Sequence, residues 1–278
     1  MLESAKRLGI CVDVMPCNSF MEKPAVLKRY LNALPADAVV LCTDGYDVLY
    51  VQKEDLILSK FKAFDSPLVF SGEKGCYHHF PETKDYFEKS REVGQYRYLN
   101  SGLIMGHTAA YLEMLDEVVD ATQAGGKDFE PIEGAVGFLN DQTLFGRYAA
   151  QRPDKVAIDT RADLFWTITE EKYNLGKYAK VNSDGVKNLE SNTEPCLVHV
   201  PHRQKSYPGY LEVALKMGIK LTAENVDLQL IDGFLKDRDK TDDHQAITMD
   251  PILKKTIKSL LNGGPCPEKP VDKNETAS

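Results

Sequence analysis

The sequence predicts an α/β fold, and two observations carry that expectation. Short runs rich in Val, Ile and Leu alternate with longer segments of helical apolar spacing, and one such run, residues 38–42, ends on a pair of aspartates. The pattern is that of a mostly parallel sheet covered by helices on both faces. In chain order, Leu2, Ala5 and Leu8 have helical spacing, residues 11–15 read as a short strand, and residues 24–34 read as a helix opened by Pro24. Residues 38–42 read as an unbroken buried strand. Further strands are expected at 68–71, 103–106, 156–159 and 197–200, with Leu112, Leu115 and Val119 on the apolar face of a helix between them. Asn140, Asp141 and Gln142 open another helix that turns Leu144 and Phe145 inward, with a capping role for Asp141. The expected organisation is a domain over 1–220, a linker and amphipathic helix over 221–262, and a disordered tail over 263–278.

Composition narrows the classes. With 278 residues, 42% of them hydrophobic and 27% charged, the chain is long enough to bury a substantial core. The 34 Lys and Arg against 42 Asp and Glu give a formal net charge of -8, which disfavours a nucleic acid or an anionic membrane as partner. No apolar run approaches the roughly 20 residues of a membrane helix, and the first ten residues lack the apolar stretch of a secretory signal, so a soluble protein is expected. The six cysteines form no CxxC pair, which argues against a zinc ribbon and against a disulfide scaffold.

Chemistry concentrates after the strand at 38–42. Thr43, Asp44, Gly45, Tyr46 and Asp47 present two carboxylates where open α/β sheets bind ligands. Hard oxygen ligands at this spacing suit Mg²⁺ or Mn²⁺, and Gly45 would let the turn bring both carboxylates inward. A second Asp-x-Asp, at Asp237 and Asp239, has lysines beside it and no buried strand before it, and reads as a solvated loop.

The segment TDGYDV resembles the metal-binding segment of the glycosyltransferase domain in the lysyl hydroxylase and collagen glucosyltransferase family, which has a GT-A fold. Four further blocks follow in that family's order: FSGEKGCYHHFPE from Phe70, YRYLNSGLIMG from Tyr96, LNDQTLF from Leu139 and LVHVPHRQK from Leu197. Together they extend the resemblance over roughly residues 1–215. It implies that Asp44, Asp47 and His199 hold a metal, Mn²⁺ or else Mg²⁺, with His202 as the rival to His199. It also implies that Tyr46 stacks on uracil beside Thr43, and that Lys205 contacts the diphosphate. Asn100, Ser101 and Gly102 would lie beside the donor sugar, with Asn100 bonding a hexose hydroxyl, and Asp141 and Gln142 near the anomeric carbon.

The implied activity moves glucose or galactose from a UDP-sugar, with retention, to a hydroxyl on a glycan or a hydroxylated protein side chain. No segment resembles the family's iron-dependent hydroxylase domain, so lysyl hydroxylation is not expected. The sequence departs from the family in three places. Val200 to Gln204 replaces a glycine-rich stretch, fewer acidic residues precede Gln142, and the family's first nucleotide-binding strand precedes the helix with which this chain begins. The last departure leaves a second expectation open, an inactive nucleotide-sugar-binding module missing that strand. A nucleotidyltransferase would use similar carboxylates with a glycine-rich basic loop, which the sequence lacks.

Overall fold

The computed structural model describes residues 1–18, 22–77, 80–89, 94–123, 140–169, 175–201, 203–222, 226–232 and 251–261. His202, Asp237, Asp239 and the expected tail at 263–278 lie outside them. Helices α1 (Leu2–Arg7) and α2 (Lys23–Leu31) lead into β1 (Val39–Thr43). Pro24 stands in the first turn of α2, where an N–H would have no helical partner in any case. Next come β2 (Val48–Tyr50), α3 (Glu54–Ala63), β3 (Leu68–Glu73), α4 (Pro81–Lys89), β4 (Tyr98–His107) and α5 (Thr108–Gln123). The second half supplies α6 (Asp141–Gln151), β5 (Val156–Asp159), β6 (Phe165–Thr167), α7 (Leu175–Tyr178), β7 (Ala179–Asn182) and β8 (Gly185–Asn188). It ends with β9 (Leu197–His199), α8 (Arg203–Lys216) and a C-terminal helix, Pro251–Leu261.

The first sheet has the order β1-β4-β3-β5, the second the order β2-β9-β6, and β7 pairs with β8 as a separate hairpin. β4 runs antiparallel to both β1 and β3, while β3 and β5 are parallel, so β1, β3 and β5 share a direction and β4 opposes them. The expectation of a mostly parallel sheet is thereby corrected to a mixed one. Continuous apolar runs signal burial on both faces, and a central antiparallel strand buried on both faces reads the same way.

Strand alternation sorts the side chains into layers. Leu68, Phe70 and Ile104 pack with Leu27, Leu31, Tyr111, Leu115, Leu144 and Phe145 of α2, α5 and α6 on one face of the first sheet. Val69, Leu103 and Met105 turn to the other face, where they meet Val48, Tyr50, Phe165 and Leu197 of the second sheet, closed by Ala5, Ile57 and Phe61. Leu49, Trp166 and Val198 point the opposite way, into a third cluster with Leu211 and Ala214 of α8 and with Leu253 and Ile257 of the C-terminal helix. That helix therefore packs its apolar face back onto the core. Among the described residues no helix is long and apolar enough to cross a membrane.

Two further expectations are corrected. Residues 11–15 form no strand. Ile10, Val12 and Met15 pack against the core, but the segment makes no ladder, and alternation alone cannot supply a pairing partner. The strand expected to be buried at 38–42 is β1, an edge strand whose five residues are all half-buried.

Asp159, at the end of β5, ties the two sheets together by accepting from the backbone N–H groups of Asp163 (2.9 Å), Leu164 (2.7 Å) and Phe165 (2.8 Å). Burial pushes its carboxyl up from 3.8 to about 6, outweighing the three N–H donors that pull it down. A carboxyl raised in the folded state holds its proton more tightly there than in the unfolded chain. Its contribution to stability therefore falls as pH rises from 3.8 to about 6. Urea unfolding of the wild type is expected to lose stability across that window relative to Asp159→Asn, which cannot titrate.

Candidate metal centre

The loop of residues 44–47 leaves the first sheet from β1 and enters the second at β2. Asp44 N–H donates to the Gly102 carbonyl at 2.8 Å, and Val200 N–H donates to the Asp47 carbonyl at 2.9 Å, so each end of the loop is pinned to a different sheet. Gly45 has no left-handed φ, and a Cβ added there would meet nothing within 4 Å. The expected dependence of the turn on glycine is thus corrected, because these two backbone bonds hold it. β2 pairs antiparallel with β9 and sets Val48 opposite His199, which places the imidazole beside the aspartate that precedes β2.

One ligand atom from each of Asp44, Asp47 and His199 lies within 4.8 Å of the others. His199 Nε2 stands 3.6 Å from Asp47 Oδ2 and 3.7 Å from Asp44 Oδ2, is buried, and makes no hydrogen bond. Burial alone would lower the pKa of His199, but the Asp47 carboxylate, with Asp44 and Glu73 behind it, outweighs burial and raises it above 6.5. Two carboxylates and an imidazole nitrogen with no hydrogen-bond partner form a donor set suited to a divalent cation such as Mn²⁺ or Mg²⁺.

Gly102 is required by this geometry. A Cβ there would run into the imidazole of His199, with Nδ1 only 2.6 Å away. The register between β3 and β4 jumps at this point: Phe70 pairs with Ile104 and Ser71 with Asn100, so residues 101–103 bulge out of the ladder. The bulge leaves the backbone of Gly102 against the ring.

Asn100, Ser101, Asp141 and Gln142 surround the same point. Asn100 is buried, and its Oδ1 accepts from Gly102 N–H at 2.9 Å and lies 3.0 Å from His199 Nδ1. Its Nδ2 donates to Glu73 Oε1 at 3.1 Å, so the amide expected to meet a hexose hydroxyl is engaged within the protein. Gln142 Nε2 also donates to Glu73 Oε1, at 2.8 Å, and its Oε1 accepts from Ser101 N–H at 3.2 Å. Asn140, rather than Asp141, caps α6 by accepting from Thr143 N–H at 2.8 Å. Asp141 turns to Lys23, whose Nζ lies 3.1 Å from Asp141 Oδ2, 2.7 Å from Asp44 Oδ1 and 2.9 Å from the Ser101 carbonyl. Burial opposes the Lys23 charge, but Asp141 and Asp44 outweigh it and raise the pKa well above the ordinary lysine value.

Other expected residues stand further out. Tyr46 is 71% exposed at the rim. Thr43 ends β1, its hydroxyl donating to the Met1 sulfur at 3.2 Å. Lys205 lies on the first turn of α8, where the backbone alone is described. Sequence reasoning missed Lys23 and Glu73. A lysine opening a helix runs against the helix dipole, and a glutamate ends the apolar run of β3, so each carried a local signal.

A family model described as the PLOD GT domain matches residues 21–217. Over 165 residues, 59% of the chain, the sequence is 27% identical to a procollagen-lysine,2-oxoglutarate 5-dioxygenase of Drosophila melanogaster, of which it covers 21%. It is 24% identical over 180 residues to procollagen-lysine,2-oxoglutarate 5-dioxygenase 1 of Mus musculus, covering 64% of this chain and 23% of the mouse protein. An uncharacterized protein of Acanthamoeba polyphaga mimivirus is 23% identical over 171 residues, 61% of this chain and 32% of that one. The chain thus spans about a fifth to a third of the length of these relatives. The crystal structure of mouse xyloside xylosyltransferase 1, apo form, matches with a TM-score of 0.38 at 11% identity, over 64% of this chain and 63% of that one.

The Lys23 pairs generate a stability prediction. Lys23→Met removes the ammonium that the described residues place beside the buried Asp141 carboxylate, and stranding a buried charge typically costs about 3–5 kcal/mol. Urea denaturation should show a loss of that order, largely recovered in the double variant with Asp141→Asn.

Proposed function

The chain belongs to the PLOD GT domain family, and from that premise we propose that it is a metal-dependent glycosyltransferase moving glucose or galactose from a UDP-sugar, with retention, to a hydroxyl on a glycan or a hydroxylated protein side chain. The observation that carries this reading is the convergence of Asp44, Asp47 and His199, with a buried imidazole nitrogen that has no hydrogen-bond partner facing both carboxylates. These three residues would hold Mn²⁺ or Mg²⁺, which when bound supplies Lewis acidity to the departing diphosphate.

The other roles belong to this chain's own side chains. Tyr46, exposed at the rim, offers an aromatic face to uracil, a platform worth about 1 to 3 kcal/mol per base. Lys205 meets the diphosphate from the first turn of α8, where helix N–H groups also favour anions. Asp141 and Gln142, at the start of α6, border the space for the donor sugar, and the Lys23 ammonium stands 3.1 Å from Asp141 Oδ2 there. Asn100 and Glu73 hold that wall from behind.

The decisive experiment incubates the protein with Mn²⁺ and a panel of UDP-sugars and measures UDP release. Turnover with UDP-glucose or UDP-galactose is expected. Binding without release would support the inactive-module reading, and pyrophosphate release from a nucleoside triphosphate would replace both. Asp47→Ala should abolish Mn²⁺-dependent binding of the donor, and unchanged binding would remove the metal assignment. A proton and a cation compete for His199 Nε2, and the ring holds its proton to a higher pH than an ordinary histidine. Calorimetry should therefore show Mn²⁺ affinity falling as pH drops, with a midpoint above 6.5 for the metal-free protein.

A further inference from the structure

We infer that Lys23 is a positioning residue for the proposed metal centre: its ammonium sets the direction of the Asp44 carboxylate, so that Oδ2 is the oxygen turned to the cation. The inference rests on the reading of Asp44, Asp47 and His199 as cation ligands and adds a residue that this reading does not require. Lys23 opens α2, an element that carries none of those ligands.

A carboxylate on two torsions can present either oxygen, or both, to a cation beside it. The backbone of Asp44 is held by its N–H bond to the Gly102 carbonyl, but that bond does not set the side-chain torsions. Lys23 sets them by donating from Nζ to Oδ1 at 2.7 Å. Oδ2 is thereby turned to the other side, 3.7 Å from His199 Nε2, where the imidazole also faces Asp47.

Cause runs from the lysine to the aspartate because other elements hold Lys23 as well. Its side chain is 12% exposed, its Nζ also donates to the Ser101 carbonyl at 2.9 Å, and Asp141 Oδ2 lies 3.1 Å away as an ion-pair partner. Ser101 belongs to the bulge of β4 and Asp141 to the first turn of α6. The ammonium is therefore a fixed point against which the Asp44 side chain is aligned.

Charge and direction have opposite consequences here, which makes the two roles separable. A positive group beside a cation site repels the cation, so removing an ammonium that acts by charge alone tightens cation binding. A group that orients a ligating carboxylate strengthens binding instead, and losing such an outer partner typically lowers metal affinity about 10–100-fold.

The test measures Mn²⁺ binding to the full chain by calorimetry, with no donor present. Asp141→Asn keeps Lys23 on Asp44 and serves as the reference. Lys23→Met is then added to it, so that no carboxylate at residue 141 is left stranded by loss of the ammonium. The double variant is expected to bind Mn²⁺ about 10–100-fold more weakly than Asp141→Asn, although it carries one positive charge fewer. Equal or tighter binding by the double variant overturns the inference and leaves Lys23 as a counter-charge. Lys23→Met alone is expected to bind more weakly than the wild type, again against the direction that charge dictates. A wild type that binds no Mn²⁺ removes the metal reading and this inference with it. A wild type that binds, beside a double variant that matches Asp141→Asn, removes the inference alone.

Discussion

Crowding of negative charge where the two sheets join is the constraint on which the rest of the structure depends. Asp44, Asp47, Asp141 and Glu73 converge there, and the described residues answer them with Lys23, with a histidine of raised pKa and with amide donors. Carboxylates so close repel one another unless cations or hydrogen bonds compensate. Lys23 spans Asp44 and Asp141, and the Asn100 and Gln142 amides serve Glu73. Asp47 is left facing the imidazole, on the side where a divalent cation would complete the balance.

The fold holds this cluster by joining one turn to two sheets. β1 and β2 are separated by four residues yet belong to different layers, so the core between the sheets keeps the carboxylates at the seam. The imidazole arrives because β9 pairs with β2, and the bulge in β4 makes room for it by presenting a backbone without a side chain at Gly102. Packing and chemistry are coupled here. The residues that let Val198 and Leu197 fill opposite clusters also aim His199 at the seam.

Local signals revealed the elements that depend on local spacing. The strand before Asp44, the helix opened by Asn140 and the apolar face of α5 follow from period and capping chemistry, which neighbouring residues carry between them. Residues 11–15 show the limit of that reasoning. Their alternation is that of a strand, but a strand needs an edge to pair with, and sequence does not say where one is available.

By itself, then, the sequence determined the α/β class, the pair of aspartates at a strand end and, through the ordered blocks, the glycosyltransferase resemblance. The tertiary structure decided that β4 runs against its neighbours and that Asn100 faces inward to a histidine. It also brought Lys23 and Glu73, which lie on α2 and β3, into the cluster around Asp44 and Asp141. The physical reason is range. Propensity and periodicity act over a few residues, whereas ladder direction, a three-residue bulge and the pairing of buried charges are fixed by contacts between segments far apart in the chain.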